Sequence, residues 1–199
     1  PTPGHDLTLT VDIELQRIVQ RAVRGHPSAA VVVVEVETGR ILAIVSKPSF
    51  DPNAMTGGLT QEEWIELRDN PLLPQFNRTL MGTYSPGSTF KLITALAALE
   101  EGMISPSDQL YCGGYHELGR RAFRCSQTHG DVDLRLAIIQ SCNVFFYRLA
   151  ERPGMMEAIS RYASHFGFGE ETGLGMNEQA GRVDSRDQHP EYHTGHALN

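Results

Sequence analysis

A chain of 199 residues with 40% hydrophobic content can bury one sizeable core and is too short for more than one or two domains. Its formal charge of -7 and pI near 5.6 argue against a nucleic-acid partner, because a polyanion would repel the average field of the protein. No run approaches the roughly eighteen apolar residues of a membrane span and no signal-peptide pattern opens the chain, so this stretch is expected to be soluble, an excised piece beginning at a domain boundary near Pro1-Thr2-Pro3-Gly4.

From Asp12 to Arg24 the apolar residues Ile13, Leu15, Ile18, Val19, Ala22 and Val23 recur at three- and four-residue spacing, which predicts an amphipathic helix stopped by Gly25-His26-Pro27. Two β-branched runs, Ala29 to Glu37 and Arg40 to Ser46, meet at Thr38-Gly39 and predict a hairpin buried on at least one face. Residues 48 to 83 carry Pro, Gly and Asn throughout, with one helical candidate at Thr60 to Leu67 that opens on a capping box. This long loop delivers the chain to Ser85-Pro86-Gly87-Ser88, and Thr89 to Glu101 then reads as a helix apolar nearly all round, expected in the core.

Tyr111 to Asp131 has poor periodicity, whereas Leu134 to Gln140, Val144 to Ala150 and Met155 to Phe166 read as three helices, with Ser141-Cys142-Asn143 in the joint between the first two. The balance is an α+β class with strands at the front and helices behind. One partial domain over 1–199 is expected, with an opening helix and strands in 1–50, a loop in 51–87 and a mostly helical subdomain in 88–199.

Ser88-Thr89-Phe90-Lys91 supplies a nucleophile and a base. A serine hydroxyl needs a neighbour to take its proton, and a lysine can do so once burial makes its neutral form accessible. Three residues apart on a helix, both groups project from one face, and Ser88 sits where free backbone N–H groups favour an oxyanion. With 12 Ser and 2 Lys, chance gives roughly 0.1 such S-x-x-K matches, and the competing reading is a helix-capping serine followed by a solvated lysine. An apolar helix makes an idle lysine costly, and every basic position other than Lys47 and Lys91 is Arg, which cannot act as a base. Ser141-Cys142-Asn143 adds a hydroxyl to relay protons and an amide to hold a substrate carbonyl; alone it is a weak signal, and the pairing gives it weight.

These residues resemble a family. Pro86-Gly87-Ser88-Thr89-Phe90-Lys91 and Ser141-Cys142-Asn143-Val144-Phe145-Phe146-Tyr147 are similar to the first two active-site motifs of the penicillin-binding protein transpeptidases, enzymes whose motifs are a standard example of this chemistry. Leu9 to Gln16, Thr38 to Ala43 and Pro48 to Asn53 resemble the opening of that domain, and the whole is most similar to monofunctional class B enzymes of the elongation, or rod-shape, system. The resemblance implies the serine β-lactamase/D,D-peptidase-like fold, an antiparallel sheet flanked by helices plus an all-helical subdomain. It implies a D,D-transpeptidase acting on peptidoglycan stem peptides that end in D-Ala-D-Ala, with Ser88, Lys91, Ser141 and Asn143 catalytic and β-lactams acylating Ser88. It also implies a membrane anchor with the catalytic domain outside the cytoplasm, and a membrane glycosyltransferase as partner. The family's third motif, K-[ST]-G, is absent, since Lys47 is followed by Pro48-Ser49; the later strands are therefore expected to be missing, and this segment alone is expected to be weakly active or inactive.

Cys112, Cys125, His129 and Cys142 are enough for a closed tetrahedral zinc site, although Cys112 and Cys142 are distant in sequence. The alternative is a Cys112–Cys125 disulfide with Cys142 as a buried thiol. The resemblance favours structural zinc, because elongation-type members carry a metal site at the matching loop; His116 stands as a substitute ligand, and His189, His193 and His196 read mainly as solvated loop. Two rival functions remain at this point. One is a D,D-carboxypeptidase, β-lactamase or β-lactam sensor, for which no water-activating glutamate can be identified; the other is a non-catalytic zinc-stabilised scaffold.

Overall fold

A computed structural model describes residues 4–183; the tail histidines and the segment Gly195 to Asn199 lie outside the described residues. The described residues divide into two compact units, one of residues 4–83 with Leu174–Gln179, the other of Tyr84–Gly173 with residues 180–183.

In the first unit, α1 (Ile13–Ala22) starts where the Asp12 carboxylate accepts from the N–H groups of Glu14 and Leu15, satisfying donors that the helix leaves open. Its C-terminal end meets Lys47, whose ammonium donates to the carbonyls of Val23 at 3.0 Å and Arg24 at 2.5 Å, where the helix dipole favours a cation. β1 (Ala29–Val34) and β2 (Ile41–Lys47) pair antiparallel, from Ala29 opposite Lys47 to Val34 opposite Ile41, with a register shift between Val33 and Val34. The turn uses Gly39 at φ 73°, a conformation that costs a side-chain-bearing residue energy. Backbone groups of β2 also bond to the segment entering α1. Thr10 Oγ1 donates to Ile41 O at 2.6 Å and the Asp12 N–H to Leu42 O at 2.9 Å. The Gln16 carboxamide donates to Ile44 O at 2.8 Å and accepts its N–H at 2.9 Å, as a strand backbone would.

Two helices occupy the stretch in which the sequence predicts one. α2 (Pro52–Gly57) begins with Asp51 as cap and Pro52 in the first turn, a start signal hidden by the surrounding Pro and Gly. α3 (Gln61–Arg68) has the expected capping box, Thr60 Oγ1 accepting the Glu63 N–H and the Glu63 carboxylate accepting the Thr60 N–H.

The second unit holds a denser core. A 3-10 turn over Gly87–Phe90 runs directly into α4 (Lys91–Glu100), and α5 (Leu134–Ile139), α6 (Asn143–Ala150) and α7 (Met155–His165) follow. Phe145, Leu149, Val144 and Met155 are fully buried among Ala95, Ala97, Ala98, Leu134, Ala137 and Ala158. The small residues of α4 let it pack closely against α7. α4 ends in a Schellman turn: Gly102 at φ 62° donates to Leu99 O and Met103 to Ala98 O. The helix sits in the core as expected, with Ile93, Thr94, Ala95, Ala97 and Ala98 buried, while Leu92 in its first turn is 58% exposed.

Four short strands form around residues 111–131, where the sequence shows poor periodicity. Leu110–Cys112 (β3) pairs with Gly130–Val132 (β6), and Tyr115–Leu118 (β4) pairs with Arg121–Arg124 (β5), so two small antiparallel ribbons are nested between α4 and α5. Strands of three and four residues are too short to print an alternation in sequence. Gly119 at φ 60° makes the turn between β4 and β5. The class remains α+β. Among the described residues, no helix is long and apolar enough to cross a membrane.

Candidate active site and thiol cluster

Both groups of side chains singled out in the sequence lie within the second unit. Ser88 is exposed in the 3-10 turn, where residues three apart align on one edge, so its hydroxyl and the Lys91 side chain share a side of the helix entrance. The turn is fixed by Thr89 Oγ1 donating to Pro86 O at 2.6 Å and by Phe90 packed edge-on against Phe168, ring centroids 5.5 Å apart. The Lys91 N–H donates to the Ser88 carbonyl, and among the described residues the Ser88 hydroxyl has no hydrogen-bond partner.

Lys91 reaches the joint between α5 and α6. Its ammonium donates to Ser141 O at 2.8 Å, to Ser141 Oγ at 3.0 Å and to Asn143 Oδ1 at 2.6 Å, and it lies 5.5 Å from the centre of the Phe146 ring. Burial lowers the Lys91 pKa from its ordinary value, and its electrostatic interaction with Cys125 and Cys142 opposes that shift. An ammonium spends all its N–H bonds on these acceptors. A neutral amine would keep two and turn its lone pair to a hydroxyl, which is the arrangement a general base needs.

The joint is built by local hydrogen bonds. α5 ends in a Schellman motif, Cys142 donating to Ala137 O at 2.8 Å and Ser141 to Ile138 O at 3.1 Å, which forces Ser141 to φ 51°. This position favours glycine, and a serine there stores strain on the order of 1–3 kcal/mol. The hydroxyl is thereby presented to Lys91. Asn143 opens α6 and is held from the opposite side, its Nδ2 donating to Arg124 O at 3.3 Å and its backbone N–H to Cys125 Sγ at 3.2 Å. Neither anchor was visible in the sequence, because both come from the ribbon that sequence periodicity missed.

Cys112, Cys125, His129 and Cys142 converge, with one ligand atom from each lying within 4.8 Å of all the others. Cys112 closes β3, Cys125 follows β5, His129 precedes β6 and Cys142 caps α6. All the cysteines are free thiols, so the disulfide alternative does not describe this structure. His129 Nδ1 is 3.4 Å from Cys112 Sγ and 3.5 Å from Cys125 Sγ. The nitrogen–sulfur edge of a tetrahedron with ordinary zinc bond lengths is about 3.5 Å, so His129 Nδ1 stands at coordination spacing from the Cys112 and Cys125 sulfurs. His116 is not among them: its Nε2 lies 3.2 Å from Glu151 Oε2 and its ring 6.2 Å from that of Tyr147, which removes it as a substitute ligand.

The thiols differ sharply. Burial alone would raise Cys125, but the backbone N–H groups of Val144, Asn143 and Gln127 and the Cys112 thiol reverse this and hold it at about 6. For Cys142 burial dominates and pushes the thiol up to about 12. One thiolate therefore forms readily at the start of α6, where free N–H groups favour negative charge.

Comparison with known proteins shows the family of the chain. Residues 29–191 match the family model of the penicillin binding protein transpeptidase domain. The chain is 36% identical over 184 residues to the peptidoglycan D,D-transpeptidase MrdA of Acinetobacter baumannii, an alignment covering 90% of this chain and 27% of that protein. A crystal structure of Pseudomonas aeruginosa PBP2 in complex with WCK 5153 superposes with a TM-score of 0.89 at 35% identity, covering all of this chain (100%) and 47% of the other. A structure described as showing structural coordination of polymerization and crosslinking by a peptidoglycan synthase complex gives a TM-score of 0.85 at 34% identity, covering 100% of this chain and 38% of the other. The chain thus spans less than half the length of each of these proteins.

Proposed function

The chain belongs to the penicillin-binding protein transpeptidase family, and from that premise we propose that it forms part of an elongation-type peptidoglycan D,D-transpeptidase in which Ser88 is the nucleophile. The contact of Lys91 Nζ with Ser141 Oγ and Asn143 Oδ1 carries this reading, because it joins residues fifty positions apart that the chemistry requires together. Ser88 Oγ attacks the penultimate D-alanine carbonyl carbon as its proton passes to Lys91. The tetrahedral adduct collapses, the peptide C–N bond breaks, and terminal D-alanine leaves with a proton relayed through Ser141. An amine from a second stem then attacks the Ser88 ester, and its surplus proton returns by the same route. Asn143 holds the donor amide, and β-lactams acylate Ser88 because their strained amide enters the same sequence.

Zinc is the metal whose chemistry suits three thiolates and one imidazole, held by Cys112, Cys125, His129 and Cys142. When bound it would fix the joint that carries Ser141 and Asn143, without touching substrate. The family reading also gives the complete protein a membrane anchor, an extracytoplasmic catalytic domain and a membrane glycosyltransferase as partner, consistent with the coupled polymerization and crosslinking of the synthase-complex neighbour.

The test uses the complete protein. Intact-mass analysis after incubation with a penicillin is expected to show one adduct, abolished in Ser88→Ala; no adduct on the wild type would leave a non-catalytic scaffold as the better reading. Metal analysis of protein purified without added metal is expected to find about one zinc per chain, lost in Cys125→Ser. A metal-free, disulfide-bonded preparation would end the zinc assignment.

A further inference from the structure

We propose that Cys125 is an oxidation site for peroxides, paired with Cys112 as resolving thiol, and that its oxidation disables the Lys91–Asn143 contact. The inference rests on the reading of Ser88 and Lys91 as the acylating pair. Three observations carry it. Cys125 is the partly exposed member of the cluster, while Cys112 and Cys142 are fully buried, so an oxidant arriving from solvent meets Cys125 first. A second sulfur is already at hand, since Cys112 and Cys125 both approach the same His129 nitrogen, at 3.4 and 3.5 Å. Cys125 is also one of the two groups that hold Asn143 from the ribbon side, accepting its backbone N–H at 3.2 Å.

The choice of Cys112 over Cys142 follows from the backbone. Cys112 and Cys125 flank the β4–β5 ribbon, and the Cys125 N–H already donates to Gly114 O at 2.9 Å, so the two chain segments run side by side. A bond between them draws together strand ends. A bond to Cys142 would instead pull on the first turn of α6, whose Val144 and Phe145 are fully buried.

The chemistry balances with a hydroperoxide as oxidant. The Cys125 sulfur attacks one peroxide oxygen, the O–O bond breaks, and the departing oxygen leaves as an alcohol, or as water from hydrogen peroxide. The sulfenic acid so formed is attacked by Cys112; the S–S bond forms, the S–O bond breaks and water leaves. Two thiols lose two electrons in all, and the peroxide gains them.

A disulfide sulfur is a poor acceptor, so the Asn143 N–H loses its partner. Cys125 and Arg124 are neighbours on the chain, and the Arg124 carbonyl holds Asn143 Nδ2 at 3.3 Å, so both anchors shift together. Asn143 Oδ1 can then no longer keep its place 2.6 Å from Lys91 Nζ. The same oxidation removes two of the four metal ligands.

The experiment treats the complete, metal-loaded protein with hydrogen peroxide and follows three readouts: released zinc with a colorimetric chelator, cysteine pairing by peptide mass spectrometry, and the rate of Ser88 acylation by a fluorescent penicillin. A Cys112–Cys125 disulfide is expected, with metal release and an acylation rate lowered about tenfold or more, restored by dithiothreitol with added zinc. In Cys125→Asp, which keeps an oxygen acceptor and ligand but no oxidisable sulfur, the residual rate is expected to be insensitive to peroxide whatever its starting value. Oxidation confined to other cysteines, or a Cys112–Cys125 disulfide that leaves acylation unchanged, would overturn the proposal. If the reduced protein forms no Ser88 adduct, the transpeptidase reading fails instead, while the disulfide map still reports on the oxidation chemistry.

Discussion

Two clusters meet at Ser141-Cys142-Asn143, one on the Lys91 side and one on the sulfur side, and they are assembled in different ways. The Lys91 side depends on one short piece of helix geometry, Ser88 and Lys91 aligned across a 3-10 turn, plus one long-range contact to the joint. The sulfur side has no local component of comparable strength. Its four donors come from the ends of two ribbons and the cap of α6, and only the completed tertiary structure brings them within 4.8 Å. The shared joint makes the dependence one-sided: damage on the sulfur side should reach the lysine side through Asn143, whereas damage at Lys91 should leave the sulfur side intact.

The largest expected effect comes from striking the Lys91 side alone. Arg is permanently charged, so Lys91→Arg keeps a cation beside Ser141 and Asn143 but cannot accept a proton. Acylation by penicillin is expected to fall on the order of 10²–10⁴-fold with metal content unchanged, measured by stopped-flow fluorescence and elemental analysis. Lys91→Ala serves as the control for steric disturbance by the larger guanidinium. Loss of metal in both variants would show that the clusters are not separable; an undiminished rate in either would remove Lys91 from the base role.

The same asymmetry decides what was legible. S-x-x-K and S-x-N could be read as a pair because the chemistry names both residue types and the first spacing is helical. The ribbons that carry Arg124 and Cys125 were illegible, since strands of four residues or fewer give no period to detect. The cysteines could be counted as a ligand set, but not told from a disulfide, without knowing that the sulfurs converge on His129 Nδ1. His116 illustrates the limit from the other side: its residue type suits a ligand, and its place opposite Phe123 on β4 turns it toward Glu151.

A smaller effect sharpens the comparison through pH. Burial disfavours the charged Lys91, so its proton leaves below the ordinary lysine value of 10.5. Only the neutral amine accepts the Ser88 proton. Acylation should therefore rise with pH to a plateau, half-maximal at a midpoint under 10.5 and falling tenfold per pH unit well below it. A flat profile, or one rising only with free lysine, would show that the measured step does not draw on this amine.

The smallest effect should appear at the joint itself, and it separates stability from chemistry. Ser141 sits at φ 51° in the place where a Schellman turn favours glycine. The energetically cheaper residue is absent, and the hydroxyl it would lack is the one 3.0 Å from Lys91 Nζ. Ser141→Gly relieves the left-handed strain but adds freedom to the unfolded chain, so the net change is expected to be a gain of no more than about 2 kcal/mol. Transfer to an amine is expected to drop on the order of 10²-fold, because the leaving group loses its proton relay. Ser141→Ala removes the same hydroxyl and keeps the strain, so it should match the glycine variant in rate and fall below it in melting temperature. Should both variants transfer at the wild-type rate, strain at Ser141 would have no catalytic reason to persist, and the joint would belong to the sulfur cluster alone.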